Sequence, residues 1–110
     1  MLPKELIAAS TRPLVLSLLG RGESYGYELI QRVKAVSGGE VNWTEGMLYP
    51  VLHRMEGEGV IRAEWKAAET GRQRKYYRLT STGRSALKAE RARWNLVNDT
   101  LQSLWNPALT

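Results

Sequence analysis

The sequence predicts a mainly α (α+β) fold: three helices, a β-hairpin and a long closing helix. Three observations carry this. After Thr44, the residues Met47, Leu48, Val51, Leu52 and Met55 recur at helical spacing and form one apolar face. Ile61, Ala63 and Trp65 then alternate with Arg62, Glu64 and Lys66, the pattern of a half-buried strand. Arg74 to Leu79 gives a second strand, with Tyr77 and Leu79 on one face and Arg74, Tyr76 and Arg78 on the other. Beyond Thr80, the residues Leu87, Trp94, Val97, Leu101 and Leu104 follow a 7-3-4-3 spacing, close to a coiled-coil seam. A helix followed by a hairpin with a basic tip is what a winged helix needs. The expected architecture is therefore a winged helix-turn-helix with a two-stranded β wing and a long C-terminal dimerisation helix.

In chain order, Leu2 to Thr11 reads as helix, with Leu6 and Ile7 apolar. Pro13 interrupts or restarts it, with Ser10 or Thr11 available as a cap. Leu14, Val15, Leu18 and Leu19 continue the apolar face, and Gly20-Arg-Gly22 ends the helix. Ser24 is the expected cap of the second helix. Leu29, Ile30, Val33 and Val36 are its expected buried stripe, and Gly38-Gly39 stops it. Val41 to Trp43 is a short extended link. Thr44 caps the third helix, and Glu45 in its first turn suits the helix dipole. Pro50 removes one amide bond, the one to the Gly46 carbonyl, and Gly57 and Gly59 end the helix. The hairpin connection, about 67–73, contains Gly71 and is basic at its far end. Ser81 or Thr82 is the expected cap of the last helix, which runs to about Trp105 and stops at Asn106-Pro107.

With 110 residues this reads as one domain with a modest core. Hydrophobic residues make up 43% and charged residues 25%, ordinary for a globular chain. The chain has no Cys, so disulfides, thiolate metal sites and Cys nucleophiles are excluded; this fits a reducing, cytoplasmic location. The longest apolar stretch, Leu14 to Leu19, is far too short to span a bilayer, and the start of the chain lacks a signal-peptide layout, so no membrane partner is expected. Net charge is +5 and the pI about 9.8, which favours nucleic acid or another anionic partner. Between positions 71 and 93, Arg72, Arg74, Lys75, Arg78, Arg84, Lys88, Arg91 and Arg93 face a single acidic residue, Glu90. The bland alternative is a solvated basic face that only aids solubility.

The expected DNA-binding surface has two parts. Thr44, Glu45, Tyr49, Pro50, His53 and Arg54 belong to the third helix, which would lie in a major groove. Arg72, Arg74, Lys75 and Tyr76 belong to the wing, which would reach the adjacent backbone. Tyr49 reads equally well as a packed aromatic, and one of Tyr76 and Tyr77 packs while the other is exposed. His53 is the only histidine. With no carboxylate cluster at ligand spacing, no metal site is expected, no cofactor is implied and catalysis has no support. The glycines at 20, 22 and 26 do not fit a dinucleotide loop, because the third comes one residue late and no strand precedes them. Leu6, Leu87, Trp94, Val97, Leu101, Leu104 and Trp105 are the expected dimer interface; the alternative is that the last helix folds back on the first helix of its own chain.

Several of these segments resemble the PadR family of bacterial winged-helix transcriptional regulators. They are Ser-Tyr-Gly-Tyr-Glu-Leu-Ile (24–30), Glu-Gly-Met-Leu-Tyr-Pro-Val-Leu-His-Arg-Met-Glu-Gly-Glu-Gly-Val-Ile (45–61) and Arg-Lys-Tyr-Tyr-Arg-Leu-Thr-Ser-Thr-Gly (74–83). The single short C-terminal helix is similar to the smaller subfamily, which includes multidrug-binding regulators. The departures are Met47 and Met55, where the family often has Thr or Leu, and Pro13 in the first helix. The resemblance implies a homodimeric repressor on a palindromic operator, responsive to small aromatic or hydrophobic effectors. It implies that Tyr49 sits at the DNA backbone and that Trp94, with Val97 and Asn98, lines an effector site between C-terminal helices. It divides the chain into a DNA-binding part, 1–79, whose first helix also contributes to the dimer, and a dimerisation helix, 80–110, continuous with it. The competing reading is a basic winged-helix protein-interaction module with no preference for DNA sequence.

Overall fold

The structure is a computed structural model describing residues 2–106 and 108. Its elements are α1 (Lys4–Leu19), β1 (Ser24–Tyr25), α2 (Gly26–Val36), α3 (Glu45–Gly57), β2 (Ile61–Ala67), β3 (Gln73–Leu79) and α4 (Ser81–Trp105). The three N-terminal helices pack around Leu16, Leu29, Leu48, Leu52 and Met55, and the hairpin closes one side with Ile61, Tyr77 and Leu79.

The first helix is unbroken. Pro13 lies within it, and its missing N–H leaves the carbonyl of exposed Ala9 to solvent, which is why the helix need not restart there. Ser10 and Thr11 cap nothing. Their hydroxyls donate back to Leu6 O (2.7 Å) and Ile7 O (2.6 Å), one turn earlier in the same helix.

Two further caps differ from expectation. Ser24 lies in β1, one residue before the Tyr25 N-cap of α2, and its hydroxyl donates to Glu28 Oε1 (2.5 Å). At α4 the cap is Thr80, whose Oγ1 accepts from Gly83 N (3.0 Å) and donates to Gly59 O (2.6 Å). Ser81 and Thr82 are already helical. Thr44 does cap α3, accepting from Met47 N at 3.2 Å, and α3 runs straight through Pro50. Asn106 follows α4 as its C-cap; Pro107, the second half of the expected stop, lies outside the described residues.

The wing is part of a three-stranded antiparallel sheet of order β1-β3-β2. Ser24 and Tyr25 pair with Tyr77 and Tyr76, so the turn between α1 and α2 is fastened to the wing. Val36, expected in the buried stripe of α2, is 68% exposed, because the core covers that stripe only as far as Val33. Trp65 is 64% exposed although it shares a face with buried Ile61, since the hairpin extends beyond the core there. Val41 and Trp43, in the link before α3, are both buried.

Candidate nucleic-acid interface

The period of α3 sorts its residues into two faces. Leu48, Leu52 and Met55 point into the core, while Glu45, Tyr49, Pro50, His53 and Arg54 are exposed on the other side. The Tyr49 ring lies over the first residue of α2. A Cβ added to Gly26 would sit 2.5 Å from Tyr49 Oη, so only glycine permits this approach.

The hairpin runs past the core, and its outer half faces the N-terminal end of α3. Glu45 and Tyr49 from α3, Tyr25 and Tyr27 from the α2 entry, and Arg72, Arg74 and Lys75 from the wing line one open groove of about 460 Å³. Expected residues from helix and wing thus share one surface. His53 and Arg54 lie further along α3 and do not line the groove. Thr44 is exposed at the helix start, where its side chain is occupied as the cap.

The wing cations differ in how they are held. Arg72 is exposed near the tip. The Arg74 guanidinium lies over the Tyr25 ring, 4.4 Å from its centroid. Lys75 Nζ is 3.3 Å from Glu56 Oε1 and lies over the Tyr77 ring at 5.5 Å. Tyr76 makes an edge contact with Tyr25, centroids 5.4 Å apart, and Lys66 sits above it at 5.7 Å. Lys66 is bound by both carboxylate oxygens of Glu23, which raises its pKa chiefly through that hydrogen bond. Of the tyrosine pair, Tyr77 is the buried one: burial, with Glu56 nearby, pushes its hydroxyl up to about 12.

Sequence reasoning missed Tyr25, Tyr27 and Trp65 as groove residues. Trp65 carried a signal, since an apolar residue in strand alternation opposite Lys75 lies on the α3 side of the sheet. Tyr25 carried none, because its place depends on pairing with a residue about 50 positions away.

The expected interface residues divide along α4. Leu87 packs against the core of its own chain beside Gly20. Trp94 is 37% exposed and donates from Nε1 to Glu90 Oε2 (3.1 Å). With Ser10, Pro13, Leu14, Ser17, Arg91 and Asn95, it borders a cleft of about 240 Å³ between α1 and α4. Glu90 also faces Arg12 Nε at 3.6 Å, and Arg12 pairs through Nη1 with Glu58 at the end of α3. Beyond Trp94, the residues Val97, Asn98, Leu101, Leu104 and Trp105 are all exposed, as is Leu6 on α1. Among the described residues, no group of three acidic or histidine side chains is placed to hold a metal ion, and no helix is long and apolar enough to cross a membrane.

Comparison with known proteins gives a consistent picture. The model of the PadR-like family of transcriptional regulators matches residues 15–89. A transcriptional regulator of Mycobacterium tuberculosis is 35% identical over 88 residues, covering 80% of this chain and 78% of that protein. A PadR-like transcriptional regulator of Bacillus cereus superposes with a TM-score of 0.84 at 30% identity, covering 94% of this chain and 98% of the other. A transcriptional regulator of Clostridium thermocellum superposes with a TM-score of 0.83 at 28% identity, covering 94% and 97%.

Proposed function

This chain belongs to the PadR-like family of transcriptional regulators, and from that premise we propose that it is a homodimeric repressor that grips a palindromic operator with α3 and the wing of each copy. The observation that carries the reading is the shared groove, where the exposed face of α3 meets a wing bearing Arg72, Arg74 and Lys75. Such a wing supplies phosphate contacts, while the helix supplies base-edge contacts. Arg54 and His53, further along the exposed face, have the donors to reach base edges or phosphates.

The exposed row Val97, Leu101, Leu104 and Trp105 supports dimerisation through α4, because a stripe of large apolar side chains at seam spacing is costly in water. A two-fold axis there would place two α3 helices about one DNA turn, roughly 34 Å, apart. Trp94 and the cleft beside it support a site for a flat hydrophobic effector. Such a ligand would shift the distance between the two α3 helices and so release the operator. A cytoplasmic location fits that role.

The test is fluorescence anisotropy with DNA from upstream of the protein's own gene, against scrambled DNA of equal length, at two salt concentrations. A preference of at least about 1,000-fold establishes an operator-specific regulator. Equal, salt-sensitive binding to both sequences would instead favour a basic module for another anionic partner.

A further inference from the structure

Resting on the reading that the groove takes DNA, we infer that Tyr25 is a positioning residue: its ring holds the Arg74 guanidinium at the groove as a preset phosphate contact. The three wing cations are not equivalent. Lys75 is paired with Glu56, so part of its charge is already answered. Arg72 is exposed near the tip, and a long free side chain must be ordered before it can bind. Arg74 is the one that is held without being neutralised. Its guanidinium lies 4.4 Å from the Tyr25 centroid, and no carboxylate among the described residues is within ion-pair distance of it. A ring beneath a guanidinium satisfies none of its N–H donors, so they stay available to a phosphate.

Tyr25 is itself fixed. It sits in β1 opposite Tyr76, and the two rings meet edge to face at 81°. Lys66 lies above Tyr76 and is clamped by Glu23, in the turn just before β1. The two-residue strand therefore delivers an aromatic platform to the wing from the far side of the helix-turn-helix. Tyr25 and Arg74 both border the groove that Tyr49 and Glu45 line from α3.

The experiment is a double-mutant cycle read by anisotropy on the operator or, since phosphate contacts ignore sequence, on any duplex of equal length. Tyr25→Leu should weaken binding about 3- to 10-fold, the range of one stacked cation. Tyr25→Phe should keep wild-type affinity. Arg74→Ala should weaken binding and lower the salt slope by roughly one unit, and Tyr25→Leu added to it should do nothing more. Arg74→Lys keeps the charge on an accessible strand and does not depend on how Tyr25→Leu folds; it should lose affinity without changing the slope. Additive losses for Tyr25→Leu and Arg74→Ala, or wild-type binding by Arg74→Lys, would overturn the positioning role alone. A wild-type chain that binds no DNA would overturn it together with the reading it rests on.

Discussion

The ring of Tyr49 on α3 lies directly on Gly26 at the start of α2, so close that a methyl group at Gly26 would come within 2.5 Å of the tyrosine oxygen. The clash is with the free end of a side chain, not with backbone. Gly26→Ala should therefore change stability by less than about 1 kcal/mol, since alanine also suits a helix start better. It should, however, push Tyr49 out into the groove and weaken DNA binding. Thermal melting and anisotropy on one sample separate the two effects, and a variant that melts far lower would show that the contact serves packing.

Gly83 makes the opposite case. A Cβ there would lie 1.9 Å from the Val60 carbonyl oxygen, and backbone cannot step aside. Propensity alone predicts that Gly83→Ala stabilises α4 by roughly 1 kcal/mol. Overpacking should win instead, with a loss of about 3 kcal/mol, or roughly 15 °C in Tm for a domain of this size. An unchanged Tm would mean that α4 is not seated against Val60.

Replacing Arg72, Arg74 and Lys75 together with Ala should reduce the slope of log K against log salt by about two to three units. Lys75→Ala alone should cost least, because Glu56 already answers its charge. Salt titrations of the single variants give the ranking. A triple variant with the wild-type slope would remove the wing from the DNA contact.

The distal face of α4 can be tested without touching the core. Leu104 is 71% exposed and packs on nothing that a charge would bury. Leu101→Glu with Leu104→Glu should leave the fold intact and give a monomer by sedimentation, because two like charges would face their copies across an apolar seam. A dimer that survives both changes would move the interface elsewhere.

Tyr77 makes stability sensitive to alkali. An exposed tyrosine ionises near pH 10, whereas burial holds this one neutral to about 12. Below pH 10 both states keep the proton and the group is silent. Between 10 and 12 only the unfolded chain releases it, so stability falls as pH rises. Urea midpoints should decline more steeply across that window for wild type than for Tyr77→Phe, and parallel curves would show that the hydroxyl ionises alike in both states.

Local patterns made α3, the hairpin and α4 legible: Thr44, the Leu48-Leu52-Met55 face and the Tyr77-Leu79 alternation each act within a few residues. What escaped depends on distant partners. Pairing of Ser24 and Tyr25 with β3 is set by the fold, so a two-residue strand leaves no periodicity to read. Ser24 looked like a cap because its hydroxyl type favours caps, but its pairing with β3 holds it in a strand and leaves Tyr25 as the residue before α2. The stripe on α2 was drawn one turn too far because periodicity cannot show where the covering element ends, and Val36 lies beyond it. Trp43 looked like linker, yet it fills the core between the helices. Of the groove, Glu45, Tyr49, Arg72, Arg74 and Lys75 were legible from residue type, while Tyr25, Tyr27 and Trp65 were not.

Arg12 grips two carboxylates at once, Glu58 where α3 ends and Glu90 where α4 leaves the core. Glu90 in turn holds the Trp94 indole. The three helices are thereby joined at a single hub, with the C-terminal end of α3 and the middle of α4 both tied to α1. One side chain thus serves two tethers, so a single change at Arg12 would untie the end of α3 and the middle of α4 from α1 together.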